Sequence, residues 1–194
     1  MSHVNGVVIG LVTNVNDPEQ QGRIKVRFPW LDDNHETDWI RIATMMSGNG
    51  RGSFFIPEVD DETLVAFDHG DTRFPYVIGF MWNGKDKTPE SNTKNRMLKT
   101  PGGHILRFED TNGQRKIILR SDSGHEITLD DSGSGQTITL KSQGDQTVVL
   151  DDKDKTISAR TGGQRMVLND TEKSILLQGG GRNLALRNGQ VQIT

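Results

Sequence analysis

An apolar repeat in residues 104–194 constrains the fold of this chain more than any other feature. Pairs of apolar residues, with one residue between the two members, recur there ten times. The first members of successive pairs lie 11, 10, 11, 10, 9, 9, 9, 9 and 7 residues apart. Alternation with a period of two is typical of β-strands, and turn-forming or charged residues separate the pairs. The pattern predicts about ten short strands, each with one narrow apolar face. The pairs are Leu106/Phe108, Ile117/Leu119, Ile127/Leu129, Ile138/Leu140, Val148/Leu150, Ile157/Ala159, Met166/Leu168, Ile175/Leu177, Leu184/Leu186 and Val191/Ile193.

One narrow stripe per strand is too little apolar surface for a single copy. A solenoid made by one chain lines a continuous core from several sides, whereas residues outside the pairs are mostly polar here. We therefore expect three copies to turn their stripes to a shared axis, as an intertwined trimeric triple-stranded β-helix (a β-prism) with backbone hydrogen bonds between chains. The predicted trimer core comprises Leu106, Phe108, Ile117, Leu119, Ile127, Leu129, Ile138, Leu140, Val148, Leu150, Ile157, Met166, Leu168, Ile175, Leu177, Leu184 and Leu186.

The first eighty residues have a different pattern, in which five β-rich segments follow one another without an amphipathic helix. Residues 22–29 are typical: Ile24, Val26 and Phe28 alternate with three basic residues, which indicates a half-solvated antiparallel strand. Five such strands predict a small barrel of the OB type. We thus predict an all-β protein with an OB-fold domain at 1–82, a linker and neck at 83–101, and the trimeric β-helix at 102–194.

Composition excludes several classes of protein. The 194 residues carry a net charge of −3 with a pI of about 5.9, which does not favour binding to nucleic acid or to anionic membranes. Without cysteine the chain has no disulfides or thiolate metal sites, and it is compatible with assembly in a reducing cytoplasm. We expect no signal peptide and no transmembrane helix.

Candidate catalytic and metal-binding residues are present but are not arranged for chemistry. The five histidines are scattered, without an HxH or HExxH motif. Acidic residues recur after strands, where turn formation and solubility explain them better than a pair of catalytic carboxylates. The glycine-rich segments at 47–53, 161–164 and 178–183 match neither a phosphate loop nor a calcium-binding repeat. We predict no enzyme activity, no cofactor and no metal. The acidic groups are Asp32/Asp33, Glu58/Asp60/Asp61, Asp130/Asp131 and Asp151/Asp152.

An OB barrel could instead bind single-stranded nucleic acid, by stacking bases on aromatic rings above a basic groove. Our preferred interpretation is that the apolar residues fill the barrel and the basic ones contact acidic loops of neighbouring subunits or of a hub. A peptidoglycan-acting spike enzyme is the third alternative. The residues available for a nucleic-acid groove are Arg23, Lys25, Arg27, Arg41, Arg51, Trp30, Trp39 and Phe28.

Three phrases resemble the OB domain of VgrG and of phage baseplate assembly protein V, which are spike proteins. They are GVVIGLVTNVNDPEQQGRIKVRFPWL at 6–31, SGNGRGSFFIPEVDDETLVAFDHGD at 47–71 and PYVIGFMWNGKDK at 75–87. In addition, GGHILRFED at 102–110 and GHEITLDD at 124–131 look like the entry of that family into its trimeric β-helix. The sequence departs from the VgrG pattern in two respects. The large N-terminal hub region is missing, so we expect either that a separate protein supplies the hub or that the hub was removed from this chain, and no added enzymatic domain follows the barrel or the β-helix.

The resemblance implies the central spike of a contractile injection machine, such as a phage tail, a type VI secretion system or a tailocin-like particle. Such a spike would be assembled in the cytoplasm as part of a phage-tail-like particle and would touch a target membrane only transiently. Hub or baseplate proteins would bind its OB end, and it would not bind nucleic acid. A PAAR-type tip protein would cover the C-terminal strand edge, at Val191, Gln192, Ile193 and Thr194.

Overall fold

The computed structural model describes residues 3–31 and 35–194. It divides the chain into two compact units, the first ending at Thr88 and the second comprising Pro89–Thr194. Both units are built from β-strands, and the described helical structure is a single 3₁₀ turn at Asp68–Gly70. The all-β prediction is therefore confirmed.

The first unit contains a five-stranded sheet with the strand order β2-β1-β6-β7-β3. Ile24, beside β2, and Ile40, beside β3, exchange two backbone hydrogen bonds of 3.0 and 2.8 Å, which join the two ends of the sheet. A short hairpin of β4 and β5 lies outside this sheet. These features are those of the predicted OB-type barrel. The strands are β1 (Val7–Asn14), β2 (Lys25–Arg27), β3 (Arg41–Ile42), β4 (Ser47–Gly48), β5 (Arg51–Gly52), β6 (Glu62–Phe67) and β7 (Pro75–Phe80).

The barrel encloses its own hydrophobic core. Ile24, Val26 and Phe28, the alternating residues of the second segment, are buried as predicted. The Phe28 and Phe67 rings pack at a centroid distance of 5.9 Å. Each strand thus directs alternate side chains inward, and the unit seals them without another chain. The buried cluster is Val12, Ile24, Val26, Phe28, Ile40, Val65, Phe67 and Val77.

The second unit contains one sheet of eleven strands in which β8 to β18 follow each other in chain order. Every neighbouring pair is antiparallel. The strands are β8 (Asn95–Lys99), β9 (Ile105–Thr111), β10 (Gln114–Arg120), β11 (Glu126–Asp130), β12 (Thr137–Lys141), β13 (Thr147–Asp151), β14 (Thr156–Thr161), β15 (Gln164–Asn169), β16 (Ser174–Gly179), β17 (Arg182–Arg187) and β18 (Gln190–Ile193).

This strand order corrects one expectation. We predicted that backbone hydrogen bonds of the repeat join different chains, but each strand pairs with its neighbours in the same chain. The physical reason lies in the turns, which are short enough to reverse the chain directly. Asn188 and Gly189, for example, have φ of 52° and 73° and form the two-residue turn that favours a hairpin. Only the outer edges of β8 and β18 are left without a strand partner in the described sheet.

Three turns on one side of the sheet repeat with a spacing of 21 residues. They start at Thr100, Ser121 and Ser142, and in each the side-chain hydroxyl of the first residue accepts a hydrogen bond from the backbone N–H four residues later. The fourth residue of each turn has a positive φ: 85° at Gly103, 95° at Gly124 and 60° at Asp145. A hydroxyl followed by a left-handed residue therefore closes each turn.

The sheet begins earlier than the sequence reasoning proposed. Strand β8 at Asn95–Lys99 pairs with β9 and lies within the segment predicted as linker and neck. The domain limits at 82 and 102 stay predictions. Among the described residues, no helix has the length and apolar content that crossing a membrane requires.

Candidate oligomerisation surface

Two rows of apolar side chains run across one face of the long sheet, perpendicular to its strands. Directly opposed residues in neighbouring strands belong to the same row, as Leu119 and Ile127 do in one row and Ile117 and Leu129 in the other. All seventeen residues of the predicted trimer core lie in these rows, together with Leu98, Ala159, Val191 and Ile193. The first row is Leu98, Leu106, Leu119, Ile127, Leu140, Val148, Ala159, Met166, Leu177, Leu184 and Ile193. The second row is Phe108, Ile117, Leu129, Ile138, Leu150, Ile157, Leu168, Ile175, Leu186 and Val191.

The single chain leaves both rows open to solvent. Between Phe108 and Leu186, the large side chains of these rows are up to 52% exposed. Ile127, in the internal strand β11, is 38% exposed. Val65 and Val77 in the barrel are 0% exposed. A continuous apolar surface of this kind is typical of a protein–protein interface.

A groove of about 1140 Å³ follows the first row from Leu119 to Ile193. Its apolar floor is bordered by polar and basic residues near the strand ends, including Lys141, Arg160 and Arg165. The surface is therefore concave along one row, and it combines an apolar strip with a charged margin. Such a margin around an apolar centre is common in interfaces.

The opposite face of the sheet carries a third row that sequence reasoning missed. It includes Val149, Val167, Leu176 and Ala185, and Val167 and Ala185 are only 9% exposed. In sequence, each of these four residues lies between the two members of its strand's apolar pair. A search for pairs at i and i+2 therefore does not find it. The signal was a weaker alternation on the second face of the same strands.

The predicted tip residues lie at the free edge of β18. Val191 and Ile193 end the two rows and are 63% and 75% exposed. Gln192 lies on the other face, opposite Ala185. Thr194 exchanges two backbone hydrogen bonds with Asn183, at 2.8 and 3.0 Å. The apolar rows thus continue to the last strand and stop at an open edge.

Two of the basic residues proposed for a nucleic-acid groove, Arg23 and Lys25, are paired with carboxylates. Arg23 forms a 2.7 Å ion pair with Asp17, and Lys25 forms one of the same length with Glu36. Arg41 lies over the Tyr76 ring, 5.0 Å from its centroid. Phe28 is in the core, and Arg51 is exposed on the β4–β5 hairpin. The structure therefore does not bring these residues together as one free basic groove.

Asp17 organises the loop that follows β1. Its carboxylate accepts hydrogen bonds from the backbone of Glu19, Gln21 and Arg23 and from the Arg23 guanidinium. The bonds from Arg23, followed by the backbone bonds, hold the pKa of Asp17 well below its usual range. This carboxylate has a structural role as an ionised acceptor.

Acids in the long sheet also serve the fold. Lys116 and Asp130 face each other across β10 and β11, with 2.8 Å between Nζ and Oδ2. The hydrogen bond from Lys116 is the main cause that lowers the pKa of Asp130 to about 2. Asp151 accepts a hydrogen bond from the backbone N–H of Asp154. Asp32 and Asp33 lie outside the described residues.

Two histidines connect successive turns on one side of the sheet. The Nδ1 atoms of His104 and His125 lie 3.3 Å from the backbone nitrogens of Asp122 and Gln143, which donate to them. Across residues 3–31 and 35–194, no cluster of three or more His, Cys, Asp or Glu side chains could hold a metal. The described ring nitrogens thus serve turn-to-turn contacts.

Comparison with known proteins identifies one matching family model and several similar proteins. A family model described as the type VI secretion system/phage-baseplate injector OB domain matches residues 8–82. The type VI secretion system spike protein VgrG5 of Pseudomonas aeruginosa is 35% identical over 127 residues. VgrG4b of the same species is 33% identical over 114 residues, and VgrG3 of Vibrio cholerae is 32% identical over 111 residues.

These relatives are much longer than the present chain. The matched regions cover 58%, 52% and 50% of this chain, and 16%, 14% and 11% of VgrG5, VgrG4b and VgrG3. The chain therefore spans less than a fifth of the length of the curated relatives it matches.

Proposed function

Since residues 8–82 match the injector OB domain of type VI secretion systems and phage baseplates and the chain is similar to VgrG spike proteins, we propose that it belongs to the VgrG and phage baseplate assembly protein V family and is the central spike of a contractile injection machine. The spike is a homotrimer that pierces a target envelope and carries a tip protein. The observation that carries this proposal is the apolar face of the eleven-stranded sheet, which one chain leaves open along its whole length.

Three copies can close this surface around an axis parallel to the two rows. Full burial of a large aliphatic side chain is worth about 1.5–3 kcal/mol, so covering the exposed part of each row member contributes roughly 1 kcal/mol. Twenty large side chains share this gain in every copy. Hydrogen bonds within each sheet and a dry interior between the sheets would give a stiff shaft that transmits axial force.

The mechanism we propose is mechanical, with neither catalysis nor a cofactor. The relatives named above are spike proteins. In the long sheet, His104, His125, Asp130 and Asp151 are engaged in turn contacts or cross-strand pairs. Contraction of a surrounding sheath would drive the shaft into a membrane that it contacts only transiently. Assembly of the particle would take place in the cytoplasm.

Two ends of the chain have separate partners in this proposal. Hub or baseplate proteins would bind the barrel, which exposes large apolar side chains such as Met45 at 88% and Phe54 at 79%. A PAAR-type tip protein would cover the open edge of β18 at Val191–Thr194. An uncovered strand edge invites pairing with another chain, which is the chemical basis for placing the tip there.

Deleting residues 189–194 tests the assignment of the tip. We expect the shortened protein to lose binding to the tip protein in a pull-down, because β18 and the last members of both rows are removed. The trimer should persist, since the remaining row members still bury one another. The matched control is Gln190→Ala, which keeps the strand and should retain the tip protein. Recovery of the tip protein by the deletion variant would contradict the assignment.

A further inference from the structure

The long sheet has two dissimilar edges where its strands end and turn. We call the edge with the turns at 161–164 and 179–182 the arginine edge, because Arg160, Arg165 and Arg182 lie there. The turns at 151–155 and 170–173 lie on the other edge, which we call the acidic edge. Each edge runs parallel to the two apolar rows and borders them on one side.

The arginine edge places like charges together. Arg160 and Arg165 are directly opposed in β14 and β15, and both are exposed. Within the described part of the chain, neither guanidinium has a carboxylate within 4.0 Å. Directly opposed like charges destabilise a sheet. An anionic group from outside the chain would neutralise the repulsion between the two guanidinium groups, so the pair is suited to bind an anion.

The acidic edge offers such anions at the corresponding height. The turn at 151–155 contains three aspartates and two lysines. Asp152 and Asp154 are exposed and, among described residues, have no cation within 4.0 Å. Farther along the same edge, the turn at 170–173 adds Asp170 and Glu172 against Lys173. The turn at 151–155 therefore carries a net charge of −1, with Asp152 and Asp154 unpaired among the described residues. In the other turn, by contrast, Asp170 pairs with Lys173 at 2.6 Å, and Glu172 lies 3.8 Å from Arg187.

Strand β14 runs from the acidic edge to the arginine edge, so its two ends lie at the same height along the direction of the apolar rows. It begins at Thr156, directly after the acidic turn, and Arg160 lies near its other end. Likewise, β15 carries Arg165 near its start and leads to the turn at 170–173. Rotation about an axis parallel to the apolar rows moves a copy around the axis without changing its height. The arginine edge of one copy then meets the acidic edge of the next at matching levels.

We propose that Arg160 and Arg165 dock onto the acidic turns of a second copy of this chain, so that the edges of the sheets are joined head to tail around the apolar interior. This inference rests on the proposed trimer and specifies how its copies are oriented. Antiparallel copies would bring arginine edge against arginine edge, and charge repulsion disfavours that arrangement. The edges thus select a parallel, cyclic assembly, whereas the apolar rows supply most of its stability.

Charge reversal tests the contact. The double variant Arg160→Glu/Arg165→Glu should dissociate at a protein concentration at least roughly tenfold higher than wild type at low salt, because like charges then face each other at every junction. Wild type should lose part of its affinity when salt is raised, since exposed ion pairs are screened. Adding Asp152→Lys and Asp154→Lys to the double variant should restore association to within about threefold, because the pairing is re-formed with its signs exchanged.

The matched control changes the same charge elsewhere. Arg51→Glu/Lys85→Glu alters two exposed basic residues of the first unit and should leave dissociation unchanged. Circular dichroism and sedimentation velocity of each variant report folding and mass together. If wild type is a trimer but the reversal has no effect, or the fourfold variant is not rescued, the edge contact is wrong while the spike proposal stands. A wild-type protein that is not a trimer contradicts the proposed function itself.

Cysteine cross-linking gives a second readout that does not depend on stability. The chain contains no cysteine, so introduced thiols report only the intended contact. Treatment of Arg160→Cys/Asp154→Cys with a short bifunctional thiol reagent should yield covalent dimers and trimers, and each single variant should stay uncross-linked. Cross-linking of Arg160→Cys alone would show antiparallel copies. A trimeric double variant that does not cross-link would also overturn the contact.

Discussion

The two units solve the problem of burying apolar side chains in different ways. In the barrel, Val65 and Val77 are 0% exposed, and eight side chains form a closed cluster. In the long sheet, Ile127 and Leu129 of β11 are 38% and 40% exposed although β11 has a strand partner on both sides. Strand content is high in both units, so the difference arises from closure. The barrel curves back on itself through Ile24 and Ile40, whereas the long sheet adds strands in one direction.

This difference predicts which of the two units depends on other copies of the chain for its stability. A closed barrel has its favourable burial inside one chain, so its unfolding should be independent of protein concentration. The open sheet gains burial only on association, so its stability should rise with concentration. Substitutions in the two units should therefore differ in kind as well as in size.

The largest expected effect comes from Ile127→Asp, which places a carboxylate at the centre of the apolar face in every copy. Three unpaired charges near one axis would cost several kcal/mol each when buried, so we expect complete loss of the trimer. Light scattering coupled to size exclusion measures the mass. Thr128→Asp is the matched control, since this residue lies on the other face of β11 and should leave the trimer intact. An unchanged trimer mass for Ile127→Asp would contradict the interface.

A smaller effect is expected from Phe67→Ala in the barrel, and it should reduce the stability of the single chain instead of the stability of the trimer. The ring is 8% exposed and packs against Phe28, so its removal should lower the free energy of unfolding by about 3–5 kcal/mol. The loss should be the same at high and low protein concentration, and it is measured by thermal or urea unfolding. Phe54→Ala removes an equal ring that is 79% exposed and should change stability by less than about 0.5 kcal/mol. A concentration-dependent loss in Phe67→Ala would mean that the barrel also depends on association.

The smallest effect concerns the acid dependence of the barrel. The bonds to Arg23 lower the pKa of Asp17 in the folded state, so the ionised carboxylate stabilises the fold above its ordinary pKa near 4. That contribution is lost as pH falls from about 4 through the lowered folded-state value. Asp17→Asn should destabilise the barrel at neutral pH and remove this part of the acid dependence. Unfolding monitored by the tryptophans between pH 2 and pH 7 measures it; an unaltered profile would exclude the role of Asp17.

Sequence reasoning predicted the face of each strand better than the partner of each strand. Pairs such as Ile117/Leu119 identify one side of a strand because side chains alternate, and they all lie on the same face of the sheet. The pattern does not specify whether the neighbouring strand belongs to the same chain. That information lies in the turns, and the Asn188–Gly189 turn was a hairpin signal that favours pairing within the chain. The single apolar residues Val167 and Ala185 were missed because they lack an i+2 partner.

The barrel was predicted in greater detail because its strands are closed by their own core. Alternation of Ile24, Val26 and Phe28 with basic residues corresponded directly to inward and outward positions. What the sequence could not provide were the carboxylate partners of those basic residues. The contact between Arg23 and Asp17 depends on the path of the loop after β1, and side-chain type alone does not determine that path.

The central claim is that the apolar rows of the long sheet are buried between three copies. Sedimentation equilibrium of the intact chain, over a wide range of protein concentration, tests it most directly. We predict a single species with three times the 21.6 kDa of one chain, and a shift to smaller species in the Ile127→Asp variant. A stable, folded species of 21.6 kDa at all concentrations, with no dye binding to its apolar face, would contradict the claim.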